Sequence, residues 1–384
     1  MIKEEVPQGW QWVRLGEVCQ LIMGQSPPGS TYTNKPEGLP FFQGKTDFED
    51  CFPTVRVWCT QPIKTSVEGD ILISVRAPVG PVNMNNLKCC IGRGLAAIRC
   101  KDAAINWFLF WYLRAIEAQI ALLGSGSTFG AITRDDLISL IIPLPPIEEQ
   151  NYIASKIQEL MQEVEQARTA CDKRLEAAKS LTAAYLRGVF ESEEAQKWER
   201  KRLAEVCEVI MGQSPPGSTY NKRNIGLPFF QGKIDFALIF PIPSTWCSEP
   251  IKIAQPNDVL ISVRAPVGPT NLANQKCCIG RGLAAIRSNN GIEPWFVLYF
   301  FRFVERNLSE IYGVRGSTFG AMNKEHLQNL HMPFPTFPEQ MRIANELKEK
   351  MAEVEKLRTA IEKQLEAINA LPQAILRKAF RGEL

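Results

Sequence analysis

Histidine is nearly absent from this sequence, with only His326 and His331 in 384 residues. Both fall in the second half of the chain, opposite Asp136 and Ile141 of the first. Chemistry common to both halves therefore cannot rest on an imidazole acid, base or metal ligand. No stretch approaches the roughly 18 consecutive apolar residues of a membrane span. Met-Ile-Lys-Glu-Glu at the start is not a signal-peptide n-region, so a cytoplasmic protein with no membrane partner is expected. The 11 cysteines form no C-x-x-C pair, and vicinal Cys89-Cys90 lacks the usual zinc-loop geometry. Free, mostly buried thiols are expected instead. An excess of one charge is also missing: 44 basic against 41 acidic residues leave +3, so any basic surface must be local.

Enzyme signatures are equally sparse. Gly38 to Lys45, followed by Thr46, is reminiscent of a phosphate-binding loop, but it is one residue too long and Pro40 removes an amide donor. The matching Lys233 is followed by Ile234, which offers no hydroxyl to magnesium. Gly92-Arg93-Gly94 is too short for a dinucleotide fingerprint. There is no Asn-Pro-Pro-aromatic stretch to position an adenine amine for methyl transfer, and no nuclease-like cluster of carboxylates with a lysine. The chain reads as non-catalytic, with no cofactor or metal of its own.

What the sequence does contain is a copy of itself. Val18–Pro53 realigns with Val206–Pro241 at a shift of 188, with 25 of 36 positions identical, and Asp70–Arg99 matches Asp258–Arg287 at 25 of 30. Further on the shift becomes 190, which carries Gly126-Ser127-Thr128-Phe129-Gly130 onto Gly316-Ser317-Thr318-Phe319-Gly320. A period this long makes each copy a domain and not a solenoid element. Within a copy, short β-type runs among Gly and Pro precede a helical segment at Trp107–Leu122 (Trp295–Tyr312) and then a proline-bounded strand at Leu140–Pro146. Each module is predicted to be α+β.

From Ile147 the pattern becomes helical. Ile153, Ile157, Leu160, Val164, Ala167, Cys171, Leu175 and Ala178 in the first copy, and Ile343, Leu347, Met351, Val354, Leu357, Ile361, Leu365 and Ile368 in the second, step by threes and fours in a coiled-coil seam. A helix from Glu148 to Leu186 would be about 60 Å long. It is too long to bury its stripe on one small module, so the two helices are expected to pair, with Pro372 kinking or ending the second. The predicted organisation is recognition domain 1 at 1–146, helix 147–190, recognition domain 2 at 191–336 and helix 337–384.

Both copies keep polar and basic residues in Gly/Pro-rich loops: Gln25, Ser26, Gln43, Lys45, Arg76, Lys88, Arg93, Ser127 and Thr128 in the first, and Gln213, Ser214, Gln231, Lys233, Arg264, Lys276, Arg281, Ser317 and Thr318 in the second. Gln reads adenine, Arg and Lys read guanine or phosphate, and Ser or Thr bind either, so double-stranded DNA is the partner these types suit. Phe41, Phe42 and Trp58, with Phe229, Phe230 and Trp246, are assigned to the core and not to base stacking.

Gly-Gln-Ser-Pro-Pro, Ala77-Pro78-Val79-Gly80, Gly-Ser-Thr-Phe-Gly, the run Ile-Pro-Leu-Pro-Pro-Ile-Glu-Glu-Gln150 before a long helix, its counterpart Pro338-Glu339-Gln340, and the ending Ile375–Leu384 together resemble the specificity subunit of type I restriction-modification systems. The resemblance implies two target recognition domains spaced by two long antiparallel coiled-coil helices in a pseudo-two-fold arrangement. It also implies two methyltransferase subunits using S-adenosylmethionine, restriction subunits using ATP and magnesium, and a bacterial or archaeal host. Because the two copies are so alike, a bipartite, nearly palindromic DNA site is expected. A helix-mediated protein scaffold without DNA specificity, and an enzyme with an unrecognised site, are the competing readings.

Overall fold

The computed structural model describes residues 7–124, 130–289, 291–305 and 321–384. It resolves into two compact units, one formed by Met1–Cys171 with Gln364–Leu384 and the other by Asp172–Lys363. The units therefore cut across the linear division into domains and helices, because each long helix gives one end to each unit.

In the first unit, Cys19–Met23, Leu95–Cys100, Ile71–Ser74 and Val82–Met84 lie side by side in that order as an antiparallel sheet. A second, five-stranded sheet runs Tyr32–Thr33, Trp58–Cys59, Leu39–Phe42, Cys89–Ile91, Thr65–Ser66, and only its Phe41–Phe42 and Cys90–Ile91 pairing is parallel. Gln11–Arg14 and Ile141–Leu144 add a separate ribbon. Runs such as Ile71-Leu72-Ile73-Ser74 are buried at every position, as expected for strands covered on both faces. The second unit repeats all three sheets with Cys207–Met211, Leu283–Ser288, Val259–Ser262 and Thr270–Leu272 in the four-stranded one.

The predicted helix after these strands is two helices, Asn106–Ala115 and Glu117–Leu123. Its counterpart is Pro294–Val304, and the rest of that predicted segment lies outside the described residues. Phe108 to Leu113 are buried without interruption, so this helix is enclosed by protein on its whole circumference. Asp70, only 1% exposed, anchors the strand entering the sheet centre. Its carboxylate accepts two hydrogen bonds from Arg99, at 2.8 and 2.7 Å, and others from the Ser66 hydroxyl and the Val67 amide. Asp258 and Arg287 repeat the fork at 3.1 and 2.8 Å. A buried carboxylate requires this degree of pairing.

The long helices span Ile147–Phe190 and Phe337–Ala379. Gln150 and Gln340 set their starts, each side-chain amide donating to the carbonyl of the residue five positions earlier, Pro145 or Pro335. Ion pairs such as Lys156–Glu159, Arg342–Glu339 and Lys350–Glu346 recur along the helices at helical spacing. Ile153, Ala154 and Ile157 of the first helix share the first unit's core with Leu376 and Ala379 of the second. In the second unit, Leu186 and Phe190 share a core with Ile343, Ala344 and Leu347. Within each unit one helix departs while the other arrives, so they run antiparallel there. Phe380 packs edge-on against Phe108 and Tyr112, and Phe190 occupies the equivalent place against Phe296, Phe300 and Phe303.

One sequence expectation fails on these helices and another is narrowed. Leu357 is 40% exposed, whereas Val354 and Ile361 are buried. Two successive steps of three, from Met351 to Val354 to Leu357, walk a position off the stripe, and the alternation of four and three passes through half-buried Arg358 instead. Of the two outcomes expected at Pro372, a kink or an end, the end does not occur: the helix runs on to Ala379, with Leu376 and Ala379 buried beyond the proline. Leu160 and Val164 are half-buried, and the other predicted seam positions Ile153, Ile157, Ile343 and Leu347 are buried. All 11 cysteines are free, and only Cys51 and Cys100 are incompletely buried. Among the described residues no helix is long and apolar enough to cross a membrane, and no group of three or more His, Cys, Asp or Glu could hold a metal.

The corrected seam can be tested by denaturant unfolding of the full chain. Ile361→Ala should lower stability by about 2–4 kcal/mol, whereas Leu357→Ala should cost less than about 1 kcal/mol.

Candidate nucleic-acid interface

In each unit the two larger sheets are joined by three residues, Gly92-Arg93-Gly94 or Gly280-Arg281-Gly282, which connect the strand Cys89–Ile91 (Cys277–Ile279) to Leu95–Cys100 (Leu283–Ser288). This turn bonds to all its neighbours. The Gly92 amide donates to the Phe42 carbonyl at 2.8 Å, and the Gly94 carbonyl accepts from Val75 at 2.9 Å. The Gly24 amide donates to the Leu95 carbonyl at 2.9 Å, and the Arg93 amide donates to the Ser26 hydroxyl at 3.1 Å. A Cβ at Gly94 would stand 2.2 Å from the Gln43 carbonyl oxygen, and one at Gly24 would stand 2.1 Å from that of Gly92. Only glycine lets these backbones touch.

The turn thereby gathers loops that are far apart in sequence. In the second unit Ser214, Gln231, Gly232, Lys233, Ser262, Arg264, Ala265, Arg281 and Gly282 line one concave surface. At a shift of 188, each has the identical residue in the first repeat: Ser26, Gln43, Gly44, Lys45, Ser74, Arg76, Ala77, Arg93 and Gly94. The first unit closes the same contacts: Arg281 donates to Ser214 at 3.2 Å where Arg93 donates to Ser26 at 3.1 Å. The side chains of Gln43, Lys45, Arg76 and Arg93, and of their second-unit partners, are exposed. Each unit thus presents a lysine, two arginines and a glutamine on loops of fixed backbone.

Several residues hold that backbone. Tyr32 donates its hydroxyl to the Pro27 carbonyl and Tyr220 to that of Pro215, both at 2.7 Å, which fixes the Ser-Pro-Pro loop. Burial pushes both phenols above their ordinary range, so they stay protonated donors. The carboxylates of Asp47 and Asp235 accept the amides of Gln43 and Gln231, at 2.7 and 2.6 Å, and so set the turns that carry Lys45 and Lys233. Ser74 donates to the Arg76 and Pro78 carbonyls across the cis Ala77-Pro78 peptide, and Ser262 donates to the Arg264 carbonyl beside cis Ala265-Pro266. Arg76 and Arg264 are bridged through their backbones to Ala131 and Ala321.

Of the residues singled out in sequence, Gln43, Lys45, Arg76, Arg93 and their partners come together. Ser26 and Ser214 line the surface, but their hydroxyls are engaged in holding the arginine turn. Gln25, Gln213, Lys88 and Lys276 are exposed, and neither Gln213 nor Lys276 lines the concave surface. Ser127, Thr128, Ser317 and Thr318 lie outside the described residues. Phe41, Phe42, Phe229 and Phe230 are core residues, with at most 1% exposure, and Trp58 and Trp246 are half-buried. Asp47 and Tyr32 were not singled out, although their equal spacing in both copies was available as a signal.

Residues 7–170 and 195–367 each match the type I restriction modification DNA specificity domain. A putative type I restriction enzyme MjaX specificity subunit from Methanocaldococcus jannaschii is 44% identical over 187 residues, which is 48% of this chain and 44% of that one. The match thus spans less than half of that relative's length. A chain solved in work on complex assembly and conformational transition of the type I R-M system superposes with a TM-score of 0.83 at 36% identity, covering 99% of this chain and 100% of the other. The HsdS subunit from Thermoanaerobacter tengcongensis gives a TM-score of 0.68 at 35% identity, covering 100% and 99%.

If the concave surfaces contact phosphates or bases, Arg264→Ala and Arg281→Ala should each weaken duplex binding and lower the salt slope of log K by about 1. Lys276→Ala should change both less. Fluorescence anisotropy across a salt series checks this, and equal effects for all three variants would rule out the concave surface as the contact.

Proposed function

The chain belongs to the type I restriction modification DNA specificity family, and from that premise we propose that it supplies the DNA address of a type I restriction-modification complex while performing no chemistry itself. The observation that carries this reading is the repeated concave surface: nine lining residues in one unit have nine identical counterparts in the other. Glutamine, lysine and arginine on rigid glycine-supported loops are groups that dock on phosphates and read base edges. They form no nucleophile, acid–base pair or metal cluster.

The partners in this reading are double-stranded DNA, two methyltransferase subunits that use S-adenosylmethionine, and restriction subunits that use ATP and magnesium, in the cytoplasm of a bacterium or archaeon. The long helices are the surfaces to which the methyltransferase subunits dock. Two readers with the same contact set favour two similar half-sites, and helices that run antiparallel in each unit favour their inversion. The DNA site is then bipartite and nearly palindromic.

Single-molecule sequencing of N6-methyladenine tests this directly. DNA is taken from cells expressing the chain with its methyltransferase subunit and from a strain lacking the chain. A split, nearly inverted motif that appears only with the chain is expected. An asymmetric motif would overturn the inversion, and methylation independent of the chain would leave a helix-mediated protein scaffold.

A further inference from the structure

The two units carry the same concave lining but differ at its edge. Beside Lys233 stands Ile234, a β-branched apolar side chain that is 94% exposed, whereas the residue beside Lys45 is Thr46. The turns that present these two residues are the same structure. Asp235 accepts from the amides of Gln231 and Gly232 at 2.6 and 3.3 Å, and Asp47 accepts from those of Gln43 and Gly44 at 2.7 and 3.4 Å. The amide of Phe236 closes on the Lys233 carbonyl, and that of Phe48 on the Lys45 carbonyl, at 2.9 Å in both. The Asp235 carbonyl accepts from Ile242 at 2.9 Å and the Asp47 carbonyl from Thr54 at 2.8 Å. The turn therefore holds position 234 in the same backbone frame as position 46, and only the side chain changes. Ile242 is itself 66% exposed, so the second unit substitutes isoleucine for threonine twice on one loop.

An isoleucine at that exposure contributes no packing to its own unit, and its rigid turn leaves little ordering cost to binding. It has no donor or acceptor, so on a base edge it can discriminate only through apolar contact. Among the four bases in the major groove, thymine alone presents a methyl group. Resting on the DNA-specificity reading above, we propose that Ile234 is a specificity-determining residue of the second unit, seated against the 5-methyl group of a thymine in its half-site. Thr46 keeps one methyl and adds a hydroxyl, so the first unit tolerates a different base at the equivalent position. The two half-sites diverge there and match where the shared lining reads them.

The test uses the full chain with its methyltransferase subunit and a duplex carrying the methylated motif, each thymine of one half-site replaced in turn by deoxyuridine. One replacement should lower affinity about fourfold, the value of one buried methyl, and Ile234→Ala should abolish that sensitivity while leaving the other half-site's profile unchanged. Thr46→Ile should raise affinity for a duplex whose opposite half-site is given thymine at the equivalent position, and deoxyuridine there should remove that gain. Tight binding of the motif with no methyl-sensitive thymine, or sensitivity that survives Ile234→Ala, overturns the proposal and leaves the address function intact. A drop in recovery of the subunit complex with Ile234→Ala, without any change in deoxyuridine sensitivity, also overturns it and assigns the tip to a protein contact. Loss of all motif-dependent binding by the unaltered chain would instead strike the function on which the proposal rests.

Discussion

Both concave surfaces depend on backbones approaching closer than any side chain allows. Gly94 against the Gln43 carbonyl and Gly24 against the Gly92 carbonyl bring three loops onto one turn, and Gly282 and Gly212 repeat this in the second unit. With a Cβ at either place the loops must separate by nearly an ångström, since non-bonded carbon and oxygen rarely come within 3 Å. The same turn joins the two sheets of a unit, so the concave surface is a direct product of how the sheets connect. Arg93 and Arg281 sit at that joint, so two exposed basic groups stand on closely constrained backbone.

This arrangement separates what both units share from what they can vary. The lining serines use their hydroxyls to hold the backbone, while the glutamine, lysine and arginine side chains of the lining stand exposed. The edge residues at 46 and 234, and at 54 and 242, hang from hydrogen bonds that involve only backbone atoms and one aspartate. Changing them leaves the turn intact. A duplicated chain can therefore alter the side chain at the edge of one concave surface without disturbing the fold or the shared lining, because the turn's geometry is indifferent to the side chain at its tip.

Much of this was legible in the sequence because duplication supplied a second reading of every position. The strand at Ile141–Leu144, the start of the long helix at Ile147, and the buried Phe41 and Phe42 followed from proline placement, periodicity and composition. The error at Leu357 has a physical origin: a leucine three residues after Val354 satisfies an apolar pattern, yet the phase of the stripe falls on Arg358, which is half-buried while Leu357 is exposed. A proline rule written for isolated helices allows an end at Pro372 because it ignores the packing of Leu376 and Ala379 beyond it. Gln213 and Lys276 looked equivalent to Gln231 and Lys233 in type and setting. Gln213 shares its loop with Ser214, which does line the surface, and Lys276 precedes the strand that leads into the joint; spacing alone does not say which of these side chains joins the lining.

The least visible feature in the linear sequence is that neither unit is a contiguous repeat. Residues 364–384 complete the first unit, where Phe380 stands against Phe108 and Tyr112. Residues 172–190 complete the second, where Phe190 stands against Phe296 and Phe303. The helix Asn106–Ala115 is apolar all round, so it needs a cover on the side away from its sheet, and the arriving end of a long helix provides part of that cover. A single repeat supplies only the departing helix. Its own long helix would have to fold back to cover the same face, and about 60 Å of continuous helix has no turn at which to do so. The second copy therefore completes the core of the first: its arriving helix covers an apolar face that the first copy's own helix leaves open.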